Sequence, residues 1–272
     1  MRWLDRGGAP AHGAGPMSSA IPRAALVTGG ARRIGRALVE TLAADGYAVA
    51  IHCQASVQEA EALAADIVGR GGRACVLRAD LGREDEVARL IQDAQTRLGP
   101  LGVLVNNASV FERDDALSAT RESWDRHVEA NLRAPFVLAQ DFARQLPGEA
   151  EGVIVNLLDQ RVWSLTPHFI SYTLSKAGLW TLTQTLALAL APRIRVCGIG
   201  PGPALANIRQ TAEQFARQAG DVPLGRGPAL DEFAAALRFL LAARSYTGQM
   251  LALDGGQHLN WAPSPPGAEP EE

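Results

Sequence analysis

Cysteine is scarce in this chain: three residues in 272, Cys53, Cys75 and Cys197, with no Cys-x-x-Cys pair among them. That scatter excludes a disulfide framework and a cysteine-built metal site, and it suits small apolar side chains in a reducing compartment. No apolar run reaches the length of a membrane span. Residues 1–22 are rich in Gly, Ala, Pro and Ser and lack the apolar middle of a secretory signal; Met17 is an alternative start to Met1. Charge of one sign is also missing. A net charge of −3 gives no electrostatic reason to expect nucleic acid or an anionic membrane as partner. There is no internal repeat and no composition break inside the chain. A 47% hydrophobic content supports one large core. The expectation is a cytoplasmic protein with one domain over 23–261, between a disordered extension (1–22) and a disordered tail, 262–272 (APSPPGAEPEE).

Within the domain, strands and helices alternate. Apolar strands are expected at Ala24–Thr28, Ala48–His52, Arg73–Arg78, Gly102–Val105, Gly152–Leu158, Ile194–Ile199 and Met250–Leu253. Helical patterns lie between them. One opens at the turn after Thr28, and a second is capped by Ser56. Another covers Ser123–Leu146 with a bend expected near Pro135. Residues 207–220 read as a mobile helical lid. Continuous apolar strands separated by helices predict an α/β fold, a single doubly wound parallel sheet of about seven strands with helices on both faces.

The first strand runs into Gly29-Gly30-Ala31-Arg32-Arg33-Ile34-Gly35. A glycine turn between strand and helix lets backbone N–H groups and the helix N-terminus approach a pyrophosphate. Arg33 stands where many dinucleotide folds place a third glycine. The second strand ends without an Asp or Glu to bind a ribose 2′-hydroxyl. Two arginines in the turn and no acid there favour a 2′-phosphate, hence NADPH/NADP.

The second informative set is Tyr172-Thr173-Leu174-Ser175-Lys176, with Asp159 thirteen positions upstream. On a helix Tyr172 and Lys176 share one face at i and i+4. An ammonium beside a phenol favours proton release, which suits Tyr172 to acid catalysis.

In their order and spacing, TGGARRIG, NNAS (Asn106–Ser109), YTLSK and PGP (Pro201–Pro203) resemble the short-chain dehydrogenase/reductase family over about residues 22–258. The resemblance implies a hydride-transferring Rossmann enzyme assembled as a homotetramer or homodimer. It also implies catalytic roles for Tyr172, Lys176 and Asn131, the last through a backbone carbonyl that holds a water linked to the lysine. The cofactor would contact Gly29, Arg32, Arg33, Ile34, Gly35, Ser56, Asp80, Leu81, Asn107, Ala108, Tyr172, Lys176, Pro201 and Gly202.

One departure from the family pattern directs the substrate reading. The position that usually carries a catalytic serine holds Asp159. A hydroxyl donates to a carbonyl oxygen that becomes an alkoxide, whereas a carboxylate would repel that charge. A carboxylate suits reduction of a C=N bond, where a ring nitrogen must receive a proton. Phe111, just past the fourth strand, is placed to stack on a flat ring. Together with Arg33 these residues resemble the pteridine reductase branch, with Arg33, Ser109, Phe111, Asp159 and Tyr172 expected at the substrate. Ala55 departs from that branch, which typically has a basic residue there. The alternatives are an NADP(H)-dependent carbonyl reductase and a non-catalytic NADPH- or pterin-binding sensor.

Overall fold

The computed structural model describes residues 21–207 and 210–259. The expected extension and tail lie outside them, apart from Ile21 and Pro22. Ile21 packs partly buried against the core.

Seven strands form one sheet: β1 (Ala24–Val27), β2 (Ala48–Cys53), β3 (Ala74–Arg78), β4 (Val103–Asn106), β5 (Gly152–Leu157), β6 (Ile194–Pro201) and β7 (Met250–Leu253). Every pairing is parallel, in the order β3-β2-β1-β4-β5-β6-β7. The helices are α1 (Arg33–Ala44), α2 (Val57–Gly69), α3 (Glu84–Leu98), α4 (Arg121–Val128), α5 (Ala134–Gln145), α6 (Ile170–Leu190), α7 (Ala212–Gly220) and α8 (Leu230–Ala242).

The strand alternation sets the layers, because successive side chains point to opposite faces. Ala25 and Val27 join Leu38, Leu42, Leu63, Phe233 and Leu237, so α1, α2 and α8 cover one face. Ala24 and Leu26 join Leu90, Ile91, Leu138, Phe142 and Leu186, so α3, α5 and α6 cover the other. Both faces of the central strands are therefore dry, which is why these segments read as unbroken apolar runs. The strand order reverses between β1 and β4, and there the carboxyl ends of the strands diverge to leave a crevice.

Near Pro135, where a bend is expected, the α-helix is interrupted. Glu129–Arg133 forms a π-helical turn joining α4 to α5, and Pro135 sits in the first turn of α5. Ser56 stands at the N-terminus of α2, but its hydroxyl does not cap the helix; it accepts from the Arg32 guanidinium. The expected lid helix begins at Ala212 behind a Thr211–Gln214 capping box, and Ile208 and Arg209 lie outside the described residues.

Candidate active site

The glycine turn is built by backbone geometry that side chains would destroy. Gly29 has φ +61°, and a Cβ on Gly35 would lie 2.1 Å from the Gly29 carbonyl oxygen. Arg33 also adopts a left-handed conformation, φ 55°. Asn107 holds the turn from the β4 side, its amide donating to the Thr28 and Gly29 carbonyls at 2.9 and 3.0 Å. The buried Thr28 hydroxyl accepts from the backbone N–H groups of Asn107 and Ala108, at 3.0 Å each. Asn107 and Ala108 therefore knit β1 to β4 at the crevice as well as lining it.

His52, in the second-strand segment, is the third support. It is 2% exposed at the end of β2. Its Nδ1 accepts from the Gly29 N–H at 3.1 Å, and its Nε2 lies 3.1 Å from the Ala79 carbonyl, which assigns the ring proton to Nε2. Burial pushes its pKa down to about 4, so the imidazole is neutral and can accept. A histidine ending an otherwise apolar strand, directly opposite a glycine turn, was the available signal.

Beside this turn runs a groove of about 1230 Å³, lined by Gly29, Arg32–Gly35, Cys53–Ser56, Asp80–Gly82 and Asn107–Val110, among others. At the end of β2 it offers Gln54, Ala55 and Ser56 and no carboxylate. Arg32 donates to the Ser56 hydroxyl at 2.7 Å and pairs with Glu59 at 3.4 Å while remaining about half exposed. A dinucleotide fits this cradle. The glycines permit close backbone approach to a pyrophosphate, and Arg32 with Ser56 can hold a further phosphate. Asp80 turns its carboxylate back to the Gly82 N–H at 2.9 Å, leaving Leu81 and the Asp80 backbone along the groove wall.

A smaller cavity of about 270 Å³ adjoins it, lined by Arg33, Phe111, Asp159, Tyr172, Lys176, Pro201 and Gly202, among others. Here the structure brings the sequence-predicted set together. The Tyr172 phenol donates to Asp159 Oδ2 at 2.8 Å. Asp159 caps the 3₁₀ turn Gln160–Val162, its Oδ1 accepting from the Arg161 N–H at 2.8 Å. Lys176, the single lysine of the chain, is 2% exposed and donates to the Leu157 carbonyl at 2.7 Å. Burial lowers its pKa to about 8, with the nearby Asp159 acting in the opposite direction. Its Nζ lies 5.9 Å from the centre of the Tyr172 ring. The ammonium therefore influences the phenol through space, while the direct partner of the phenol is the carboxylate.

Phe111 enters this cavity edge-on to Tyr172, with ring centroids 4.7 Å apart, and stacks on Phe169 at 4.6 Å. Phe169, held at φ 59° in front of α6, was not anticipated. Behind Tyr172 lies a second unforeseen cluster. The Ser171 hydroxyl donates to Asp114, and His127 Nδ1 lies 2.7 Å from the same hydroxyl, fixing the start of α6. Beyond β7, Asp254 accepts from the His258 backbone N–H at 2.8 Å and ring nitrogen at 2.7 Å.

Three of the expected site residues also make structural contacts. The Arg33 guanidinium donates to the Ala206 and Leu205 carbonyls at 2.7 and 3.0 Å, tying the glycine turn to the loop after β6 while lining both cavities. The Ser109 hydroxyl lies 3.3 Å from the Asn131 side chain and also lines both cavities. Fully buried Asn131 turns its amide to Val110 and Ser175, accepting at 2.8 Å and donating at 2.9 and 3.1 Å. It clamps the segment after β4 to α6 from inside the π turn. Its side chain supports the site without reaching Tyr172 or Lys176 by any hydrogen bond found among the described residues.

Comparison with known proteins agrees with this geometry. The profile of the short chain dehydrogenase family matches residues 23–217, and the chain belongs to that family. Among solved structures, FolM alternative dihydrofolate reductase 1 from Brucella canis, crystallised with NADP, is 51% identical. It superimposes with a TM-score of 0.87, over 92% of this chain and 99% of that one. The Brucella suis protein of the same name, also with NADP, gives 51% and 0.86, over 93% and 100%. Among curated relatives, the 3-oxoacyl-[acyl-carrier-protein] reductase FabG of Staphylococcus aureus (strain N315) is 32% identical over 248 residues, 88% of this chain and 99% of that protein.

Proposed function

We propose that this oxidoreductase reduces a C=N bond of a dihydropterin-type ring with NADPH. The observation that carries the reading is the 2.8 Å hydrogen bond from Tyr172 to the Asp159 carboxylate, in a cavity shared with the Phe111 ring. Similarity to the FolM proteins supports it.

Arg32 and Ser56 would hold the 2′-phosphate, the Gly29–Gly35 turn the pyrophosphate, and Lys176 the nicotinamide ribose. When bound, NADPH supplies the hydride that reduces the carbon of the C=N bond. Tyr172 delivers a proton to the adjacent nitrogen: its O–H bond breaks, an N–H bond forms, and solvent later restores the phenol. Asp159 orients the phenol and accepts from ring N–H groups, as a carboxylate does well. Phe111 offers an aromatic face to a flat ring, worth about 0.5–1.5 kcal/mol beyond burial.

The FabG relatives favour a second reading, reduction of a ketone. Asp159 weighs against it, because the developing alkoxide would lie beside a carboxylate, which itself has no proton to donate, at the position where a second hydroxyl donor is usual. NADPH oxidation against dihydropterins, with 3-oxoacyl esters and simple ketones as controls, decides between them. Turnover of pterins alone supports the proposal, and efficient turnover of ketones alone overturns it.

A further inference from the structure

Arg161 is a charged side chain that is only 8% exposed. Its backbone and its side chain both address Asp159. The N–H donates to Oδ1 at 2.8 Å, and Nη1 lies 3.5 Å from Oδ1 and 3.4 Å from Oδ2. The guanidinium is held in place by two rings, 5.6 Å from the centre of Phe111 and 5.4 Å from that of Phe169. It is thus fixed beside the carboxylate that receives the Tyr172 phenol.

The chemistry of the pair creates a need for that charge. Once the substrate nitrogen has taken the phenol proton, a tyrosinate stands beside the Asp159 carboxylate at hydrogen-bond distance. Two anions so close in a largely buried site repel strongly. Lys176 offsets one of them, and its ammonium is already engaged by the Leu157 carbonyl. Arg161 adds a second cation directly beside the pair, with Arg33 a third across the cavity. The charged and titratable groups around Asp159 are Tyr172 and Lys176 from α6, Arg161 from its own turn, and Arg33 from the glycine turn across the cavity. His127 lies on the far side of the Tyr172 ring, with centroids 6.0 Å apart.

We propose that Arg161 is a positioning residue of the proton-delivering pair: it fixes the Asp159 carboxylate against Tyr172 and offsets the tyrosinate left when the substrate takes the proton. This rests on the reading of Asp159 and Tyr172 as that pair.

The test compares Arg161→Met, which keeps bulk against the two rings, with Arg161→Lys, which keeps the charge. With NADPH and a dihydropterin, Arg161→Met should lower kcat about 10- to 100-fold, the loss expected for a charge-assisted contact. KM and NADPH affinity should change by about threefold at most, and Arg161→Lys should recover most of kcat. Combined with Asp159→Asn, Arg161→Met should cost little beyond Asp159→Asn alone, because it acts through that carboxylate. A second reading needs no substrate. Tyrosinate absorbance is titrated for each protein, and its Tyr172→Phe counterpart is subtracted to isolate Tyr172. The Tyr172 step should move up by about one pH unit or more in Arg161→Met and stay near its original position in Arg161→Lys. An unmoved step in Arg161→Met, or fold losses that multiply in the double variant, overturns the proposal. If Arg161→Met does not fold, Arg161→Gln takes its place, and a step displaced as far in Arg161→Lys as in Arg161→Gln overturns it. A protein that turns over no pterin sinks the substrate assignment, while the titration still decides the role of Arg161.

Discussion

The phenol of Tyr172 donates to Oδ2 of Asp159 across 2.8 Å, joining the first turns of α6 to the end of β5. A proton donor whose partner is a carboxylate is oriented by it. Tyr172→Phe keeps the ring and its edge contact with Phe111 but removes the proton. Steady-state kinetics should show kcat reduced by roughly 10²–10⁴-fold, with NADPH affinity by fluorescence titration nearly unchanged. Near-normal turnover would remove Tyr172 from its assigned role.

Lys176 gives a pH dependence with opposite signs for activity and stability. Its pKa is lowered from 10.5 to about 8 by burial. As pH rises through about 8 the ammonium is lost, and kcat should fall on that basic limb. Between 8 and 10.5 the unfolded chain binds the extra proton, so this group's contribution to stability rises with pH over the same window. Because the chain has one lysine, isotope-labelled lysine yields a single side-chain NMR signal. A midpoint at the ordinary lysine value would contradict the assignment.

Cofactor preference should depend on Arg32. Its contacts with the Ser56 hydroxyl and Glu59 place a guanidinium beside the end of β2, where Gln54, Ala55 and Ser56 line the groove. Arg32→Ala should reduce the kcat/KM preference for NADPH over NADH by roughly ten- to a hundredfold, the loss of one charge-assisted phosphate contact. Equal use of both cofactors by the unaltered protein would refute the phosphate site.

His52 ties acid stability to the glycine turn. Its folded pKa of about 4 lies below the ordinary 6.5. The contribution is therefore complete above 6.5 and is lost as pH falls toward 4, where the unfolded chain holds the extra proton. The slope over that window is about 1.4 kcal/mol per pH unit at most. Urea unfolding at several pH values should show this slope in the native protein and a shallower one in His52→Asn. Equal slopes would mean that other groups control acid unfolding.

Much of the fold and part of the site are written locally. Apolar runs of strand length, helical periodicity and a glycine turn placed between the two specify a doubly wound parallel sheet, since each signal depends on a few neighbouring residues. The pairing of Asp159 with Tyr172 was also legible, because the twelve residues between them leave little freedom once both ends are anchored by β5 and α6. Other features depended on contacts far apart in sequence. Asn131 lies in a π turn that local periodicity does not mark, and its amide spends its bonds on Val110 and Ser175. Arg33 reaches carbonyls at 205 and 206, more than 170 positions away. His52 becomes a neutral acceptor because the sheet buries it between Gly29 and Ala79. Phe169 and Arg161 acquire roles because the start of α6 is folded back against Phe111. The sequence by itself determined the sheet, the cofactor turn and the Asp159–Tyr172 pairing, through short-range pattern. Only the tertiary structure decided which side chains surround that pair, because burial and long-range hydrogen bonds set those partners.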